Sequence, residues 1–219
     1  SNSRQLILKG GKSAKNYREK SVDVVYYDEL SSFDPDIEKE GSPTVLGDKR
    51  IEGASFPKSI RGSTPKHADT CQISLAAEGA EAHFHRYLPC PKCSFMQRIE
   101  WGGPDTDYGI KWERLGDVHR TETAHYVCAK CTTKISNRLL DDMDRGGEWR
   151  SECGLMTLDG MRFYRRGKRG AEVLAETPES VAFYIWAAYS PWTTWAKIAK
   201  DFVASARDPI KLKTWVNTT

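Results

Sequence analysis

Two groups of residues have the types and spacing for chemistry. The first is Asp28 with Glu29, adjacent carboxylates that close the apolar run "VDVVYY" (22–27). One carboxylate at such a point holds a metal ion and the other orients and deprotonates a water, as in phosphate-hydrolysing ATPases whose strands end on Asp-Glu. Successive strand residues face opposite ways, but at the tip the chain turns and neighbours can converge on one cleft. The plainer alternative is that Asp-Glu simply begins a solvated loop, and the string alone leaves both open. The second group is Cys90, Cys93, Cys128 and Cys131, two C-x-x-C pairs separated by 34 residues (94–127). Two such turns supply the four thiolates that tetrahedral Zn²⁺ requires, and a shell closed by four cysteines implies a structural rather than a catalytic ion. Redox chemistry would need only one pair.

A phosphate-hydrolysing site also needs a cradle. "GGKS" (10–13) follows an apolar stretch, but the pattern G-x-x-x-x-G-K-S/T places Leu6 where a glycine must stand, so Lys12 is rejected as a phosphate-loop lysine. The hydroxyls of Ser63 and Thr64, in "SIRGSTPK" (59–66), suit a γ-phosphate sensor at a strand end or a simple turn.

The elements that must position these residues are legible in part. β-branched and aromatic content predicts strands near 5–9, 22–27 and 57–61, with the second buried. Residues 72–88 suit a helix, and "SVAFYIWAAY" (180–189) a core strand. Trp195, Ile198, Ala199, Phe202, Val203 and Ala206 share one face at a 3.6 period, with Thr194 as N-cap. Asp208-Pro209 starts a further helix. Trp186, Trp192 and Trp195 are expected in a core, and Cys71 and Cys153 as buried thiols. His83, His85, His119 and His125 are read as surface or supporting residues beside a complete four-cysteine shell. Arg162, Arg165, Arg166, Lys168 and Arg169 form either a phosphate-contacting patch or a solvated hairpin tip.

With 219 residues, 39% apolar and 29% charged, the chain fits a globular protein, and a net charge of +3 does not by itself announce nucleic acid. No apolar stretch approaches the roughly 20 residues that span a bilayer. Two C-x-x-C pairs with two scattered cysteines argue for a reduced compartment. The opening "SNSRQ" lacks Met and any signal-peptide pattern and reads as a cut inside a longer chain.

The strings "GGKSAKNYREKSVDVVYYDEL", "EGSPTVLGDKRIEGASFPKSIRGSTPK" and "AAYSPWTTWAKIAKDFVASARDPIKLKTWVNTT", with the paired C-x-x-C between them, resemble the large terminase subunit of lambda-type tailed phages across nearly the whole chain. The resemblance implies a DNA-packaging motor, in which a P-loop-type ATPase drives double-stranded DNA into a procapsid and a metal-dependent nuclease cuts concatemers. It implies ATP and Mg²⁺ as cofactors beside structural Zn²⁺. The implied partners are double-stranded DNA, a small terminase subunit, the portal and further copies of the chain, in the cytoplasm of the infected host, without a membrane. On it, "VVYYDE" looks like the Walker B element, with Asp28 holding Mg²⁺ and Glu29 as catalytic base. Gly62–Pro65 looks like the coupling motif, and Ser63, Thr64 and Asp28 face the nucleotide. Arg18 sits where such motors carry an arginine finger, with Lys15 or Lys20 as competitors. The phosphate loop is expected before residue 1 and the nuclease acids after residue 219, so the isolated fragment is expected to be inactive. The expected architecture is mixed α/β: half of a P-loop-type ATPase core (1–86), a zinc-ribbon-like insertion (87–137) and a strand-plus-helix lid or linker (138–219). A zinc-stapled nucleic-acid- or protein-binding module without nucleotide chemistry is the alternative.

Overall fold

A computed structural model describes residues 5–66, 70–167 and 170–219. The protein is mixed α/β and divides into two units, Ser1–Glu78 and Gly79–Thr219.

In the first unit, β1 (Val24–Asp28) leads through α1 (Pro43–Asp48) into β2 (Lys58–Gly62), followed by α2 (Gln72–Glu78). β1 and β2 pair in parallel from Val24↔Lys58 to Asp28↔Gly62, so both strands end at the same level. α1 begins where Ser42 caps the Val45 amide and Pro43 fills the first turn. It lies over one face of β1. Tyr27 is buried there, with its hydroxyl on Asp48 Oδ1 at 2.9 Å. A Cβ on Gly47 would stand 2.1 Å from that hydroxyl, so only glycine admits the tyrosine. Asp48 also accepts from Ser59 (2.7 Å) and Arg61 (2.8 Å), which ties the helix end to β2.

Two expectations need correction in this unit. Residues 5–9 form no strand, and Leu6 and Leu8 are exposed. β1 is not buried on both faces: Val24, Tyr26 and, on β2, Ile60 are exposed. Alternation sends these side chains away from α1, and no layer covers that side among the described residues.

The second unit runs β3 (Ala82–Pro89), β4 (Met96–Gln97), β5 (Gly109–Leu115), β6 (Val118–Val127), β7 (Lys134–Ile135), α3 (Leu140–Arg145), β8 (Glu148–Ser151), β9 (Leu155–Thr157), β10 (Tyr164–Arg166), β11 (Glu172–Leu174), β12 (Val181–Tyr184), α4 (Trp195–Ser205) and α5 (Pro209–Thr218). Among the described residues, one sheet has the order β11-β10-β9-β8-β3-β12 with β4 on the end of β3, and a second has β5-β6-β7. The helix expected over 72–88 stops at Glu78, and its second half is β3. Ala82, Phe84 and Leu88 alternate inward there, and pairing with β8 and β12 outweighs helix propensity. β12 pairs in parallel at a sheet edge, so Phe183, Tyr184 and Ile185 are exposed rather than central.

The main core gathers Leu88, Ile99, Ile110, Tyr126, Ile135 and Ile198 around Trp195. α4 supplies Trp195 and Ile198, and Thr194 caps the Lys197 amide at 3.1 Å. Asp208 caps α5 through the Ile210 and Lys211 amides. Of the three tryptophans expected inside, Trp195 is 1% exposed, but Trp192 is 94% exposed because it lies on the turn before the helix. Cys71 is buried, whereas Cys153 is exposed on the turn between β8 and β9. Lys168 and Arg169 lie outside the described residues, while Arg162 is held by Asp159 and Arg165 by the Cys153 carbonyl. No described helix is long and apolar enough to cross a membrane.

Candidate functional site

The parallel register sets the geometry of the strand end. Asp28 closes β1 directly opposite Gly62, the last residue of β2. The next residue, Glu29, is in the left-handed region (φ 55°, ψ 45°), which breaks the strand and opens a single helical turn over Leu30–Ser32. For a residue with a Cβ that conformation costs about 1–2 kcal/mol. Leu30, fully buried, anchors the turn from below. Ser63 holds it from the side: the Ser31 amide donates to Ser63 Oγ at 3.0 Å, and that hydroxyl donates to Ser31 Oγ at 2.7 Å. Lys66 donates to Ser32 Oγ at 2.9 Å, so Gly62–Lys66 and Glu29–Ser32 are bound into one rim. Asp28 and Glu29 are both exposed on this rim, and Asp28 Oδ1 accepts from the Tyr26 hydroxyl at 3.3 Å. Thr64 continues the same turn, its carbonyl 3.3 Å from Ser63 Oγ. Two carboxylates and a hydroxyl-rich turn at one level are a donor set suited to a hard cation such as Mg²⁺ and to phosphate oxygens.

Arg18 is not gathered to that rim. It follows the single helical turn Ala14–Tyr17, and its guanidinium is ion-paired with Glu40. Lys15 faces Glu19 at 3.8 Å. At Gly10-Gly11 the carbonyls accept from Asn16 and from Tyr17, and a Cβ on Gly11 would stand 2.4 Å from the Phe33 ring. The glycine there serves ring packing. Two contributors went unread in the sequence. Asp48 gathers Tyr27, Ser59 and Arg61, and Ser31 meets Ser63 across 32 positions. Neither carries a local signal.

The four cysteines come together. Their Sγ atoms all lie within 4.8 Å of one another, with Cys90···Cys131 at 3.8 Å and Cys93···Cys128 at 3.9 Å. A tetrahedron with Zn–S bonds of about 2.3 Å has edges of about 3.8 Å. The two turns share one backbone design. The first joins β3 to β4 and the second joins β6 to β7. In each, the residue after the second cysteine (Ser94, Thr132) has φ near 55° and returns its amide to the first cysteine's carbonyl. In each, the first cysteine's amide also bonds the carbonyl five residues on, Phe95 or Thr133. Cys90 and Cys128 are buried, and burial pushes the Cys90 thiol up to about 12. The Thr133 hydroxyl and amide hold Cys131 down at about 6. Four sulfurs this close ionise together only around a cation, so the donor set fits zinc. The histidines stand apart from the group: His119 accepts from Trp112 Nε1 at 2.9 Å, and His83 and His85 stack on Tyr184.

A sequence profile described as the phage terminase large subunit gpA ATPase domain matches residues 2–149, and one described as the terminase large subunit gpA endonuclease domain matches 180–219. The second stretch lies within the segment expected as lid or linker. The chain is 51% identical over 212 residues to the terminase large subunit of Enterobacteria phage P21, covering 96% of this chain and 31% of that protein. It is 47% identical over 222 residues to the terminase large subunit of Escherichia phage lambda, covering 100% of this chain and 33% of that protein. The chain thus spans about a third of the length of these curated relatives. No solved structure matches.

Proposed function

The chain belongs to the phage terminase large subunit family, and from that membership we propose that it carries the hydrolytic strand end and the zinc-stapled subdomain of a DNA-packaging motor. In the whole subunit, ATP hydrolysis would drive double-stranded DNA into a procapsid through a portal, in the infected host's cytoplasm. A small terminase subunit and further copies of the large one complete the assembly. The observation that carries the reading is the common rim, with Asp28 level with Gly62 and Ser31 bonded to Ser63.

In this reading Asp28 would hold Mg²⁺, whose charge would offset that developing on the phosphate. Glu29 takes a proton from the attacking water, since its left-handed backbone turns it out of the strand just past the metal acid. Ser63 and Thr64 meet the terminal phosphate. Ser63 also touches the turn carrying Glu29, so loss of that phosphate is felt at the Gly62–Pro65 turn, the coupling element. Arg18 serves as the arginine finger after its ion pair with Glu40 opens. Cys90, Cys93, Cys128 and Cys131 would hold Zn²⁺, which would fasten the two hairpins as a structural ion. Residues 180–219 contribute β12, α4 and α5 to the nuclease part. The ATPase-domain match over 2–149 disfavours a binding module without nucleotide chemistry.

The test uses the whole large subunit. Glu29→Gln should reduce DNA-stimulated ATP turnover by at least a hundredfold while nucleotide still binds. Turnover within threefold of the parent would refute the assignment.

A further inference from the structure

We infer that the four-cysteine subdomain is the docking platform of the nuclease part: it holds residues 180–219 in place and takes no part in nucleotide hydrolysis. The inference rests on the family reading above and divides the subunit differently from the sequence profiles.

The ATPase-domain profile extends to residue 149 and so includes the cysteine hairpins. The structure groups those hairpins with the residues of the other profile: Gly79–Thr219 is one unit, and Asp28 and Glu29 lie in the other. Neither stretch closes a core by itself. Trp195, 1% exposed, packs on Tyr126, and its amide donates to Asn137 Oδ1 at 2.6 Å. Ile99 is buried, and the nuclease-matching stretch satisfies its backbone on both sides. Its amide donates to the Tyr189 hydroxyl at 2.7 Å, and its carbonyl accepts from Trp186 Nε1 at 2.7 Å. Buried backbone groups are seldom left without partners, so undocking residues 180–219 would strand this pair.

Four half-buried rings close the joint. Trp101 and Trp112 come from the cysteine side, Phe202 from α4 and Trp215 from α5. Trp101 stands 4.9 Å from both Phe202 and Trp215, which are 5.1 Å apart, with interplanar angles near 60° throughout. Tilted and edge-on contacts at such distances are favourable for aromatic rings. Trp112 extends the cluster, 5.6 Å from Trp101 and 6.2 Å from Phe202. It sits where the β5–β6 ladder slips: Lys111 pairs with His125 but Glu113 with Arg120, and such irregularities twist a strand and re-aim its side chains. Its indole N–H is fixed on His119 Nδ1 at 2.9 Å. Trp101 and Trp215 also pack against the core that contains Cys90 and Cys128. A platform built this way is needed for cutting and dispensable for hydrolysis.

The experiment uses the whole large subunit. DNA-stimulated ATP turnover, cutting of concatemeric double-stranded DNA and amide hydrogen exchange are measured side by side. Trp112→Ala should slow cutting at least tenfold and speed exchange in α4 and α5, with ATP turnover within about twofold of the parent and exchange in β1 and β2 unchanged. Phe202→Leu, which thins the cluster from the other side, should give the same split. Trp112→Phe keeps a ring and should restore cutting to within about threefold. If both weakening variants cut at the parent rate, or if turnover falls in step with cutting, the inference is wrong. If the parent neither cuts DNA nor hydrolyses ATP, the functional reading itself falls, and this inference with it.

Discussion

Ser31 and Ser63 are joined twice, once through the Ser31 amide and once hydroxyl to hydroxyl, so the turn after one strand is fastened to the turn after its neighbour. Removing one partner leaves the other a half-buried polar group without its bond. Ser63→Ala should lower the stability of the chain by about 1 kcal/mol in urea unfolding. In a double-mutant cycle with Ser31→Ala the coupling should be about 0.5–1.5 kcal/mol. Strictly additive effects would show that the two turns are not linked in solution.

Glu29 occupies a backbone conformation that favours glycine. Glu29→Gly should therefore stabilise the first unit by a few tenths to about 1 kcal/mol, the left-handed strain relieved less the added chain entropy. In the whole subunit the same change should abolish DNA-stimulated ATP turnover. Greater stability with lost turnover is the signature of a strained functional residue. A destabilised variant would mean that the Glu29 side chain is structural.

Trp195 and Trp192, three positions apart, should behave oppositely. Trp195 is packed against Tyr126, with its indole N–H on the Ala188 carbonyl at 3.0 Å. Trp195→Ala should cost about 3–5 kcal/mol by denaturant melts. Trp192→Ala should change stability by less than about 0.5 kcal/mol, as expected of an exposed side chain.

Asp159 predicts a pH limit. The Arg162 and Met161 amides donate to Oδ1 at 2.9 Å each and hold its carboxyl down at about 2, below the ordinary 3.8. With the folded value below the unfolded one, its contribution is complete above about pH 4 and disappears as pH falls through about 2. Asp159→Asn should flatten that acid limb in melting temperature against pH, with little change near neutrality.

Metal removal should be equally directional. Chelation should lower the melting temperature and change tryptophan emission, because Trp101, Trp186 and Trp195 share the core that contains Cys90 and Cys128. Protons compete with zinc for thiolates, so release should speed up as pH falls. Cys128→Ser should reproduce the chelated state at neutral pH.

The candidate residues were legible because their signals are local. Asp28 and Glu29 end an apolar run, the cysteines keep a fixed spacing, and Thr194 and Asp208 cap their helices as expected. What escaped depends on partners distant in sequence. Residues 82–88 carry apolar positions that a helix or a strand could use, and β8 and β12, about 65 and 100 positions later, decide for strand. Val24 and Tyr26 read as buried because the run is apolar apart from Asp23, whereas only Tyr27 has α1 above it. Arg18 was legible as a guanidinium shortly before β1, but its engagement by Glu40 was not. Ser31 gave no signal at all, since a lone serine shows its role only once the chain has folded back on it.

The excursion from Cys93 to Cys128 leaves and re-enters at the same clasp. Its ends are pinned whatever it does in between, and doubling a flexible loop costs only about 0.6 kcal/mol more in closure. The exposed tip of the β5–β6 hairpin, at Leu115–Val118, is thus a place where length and sequence can drift, or a tag be spliced in, while the core-facing parts of both strands keep their register.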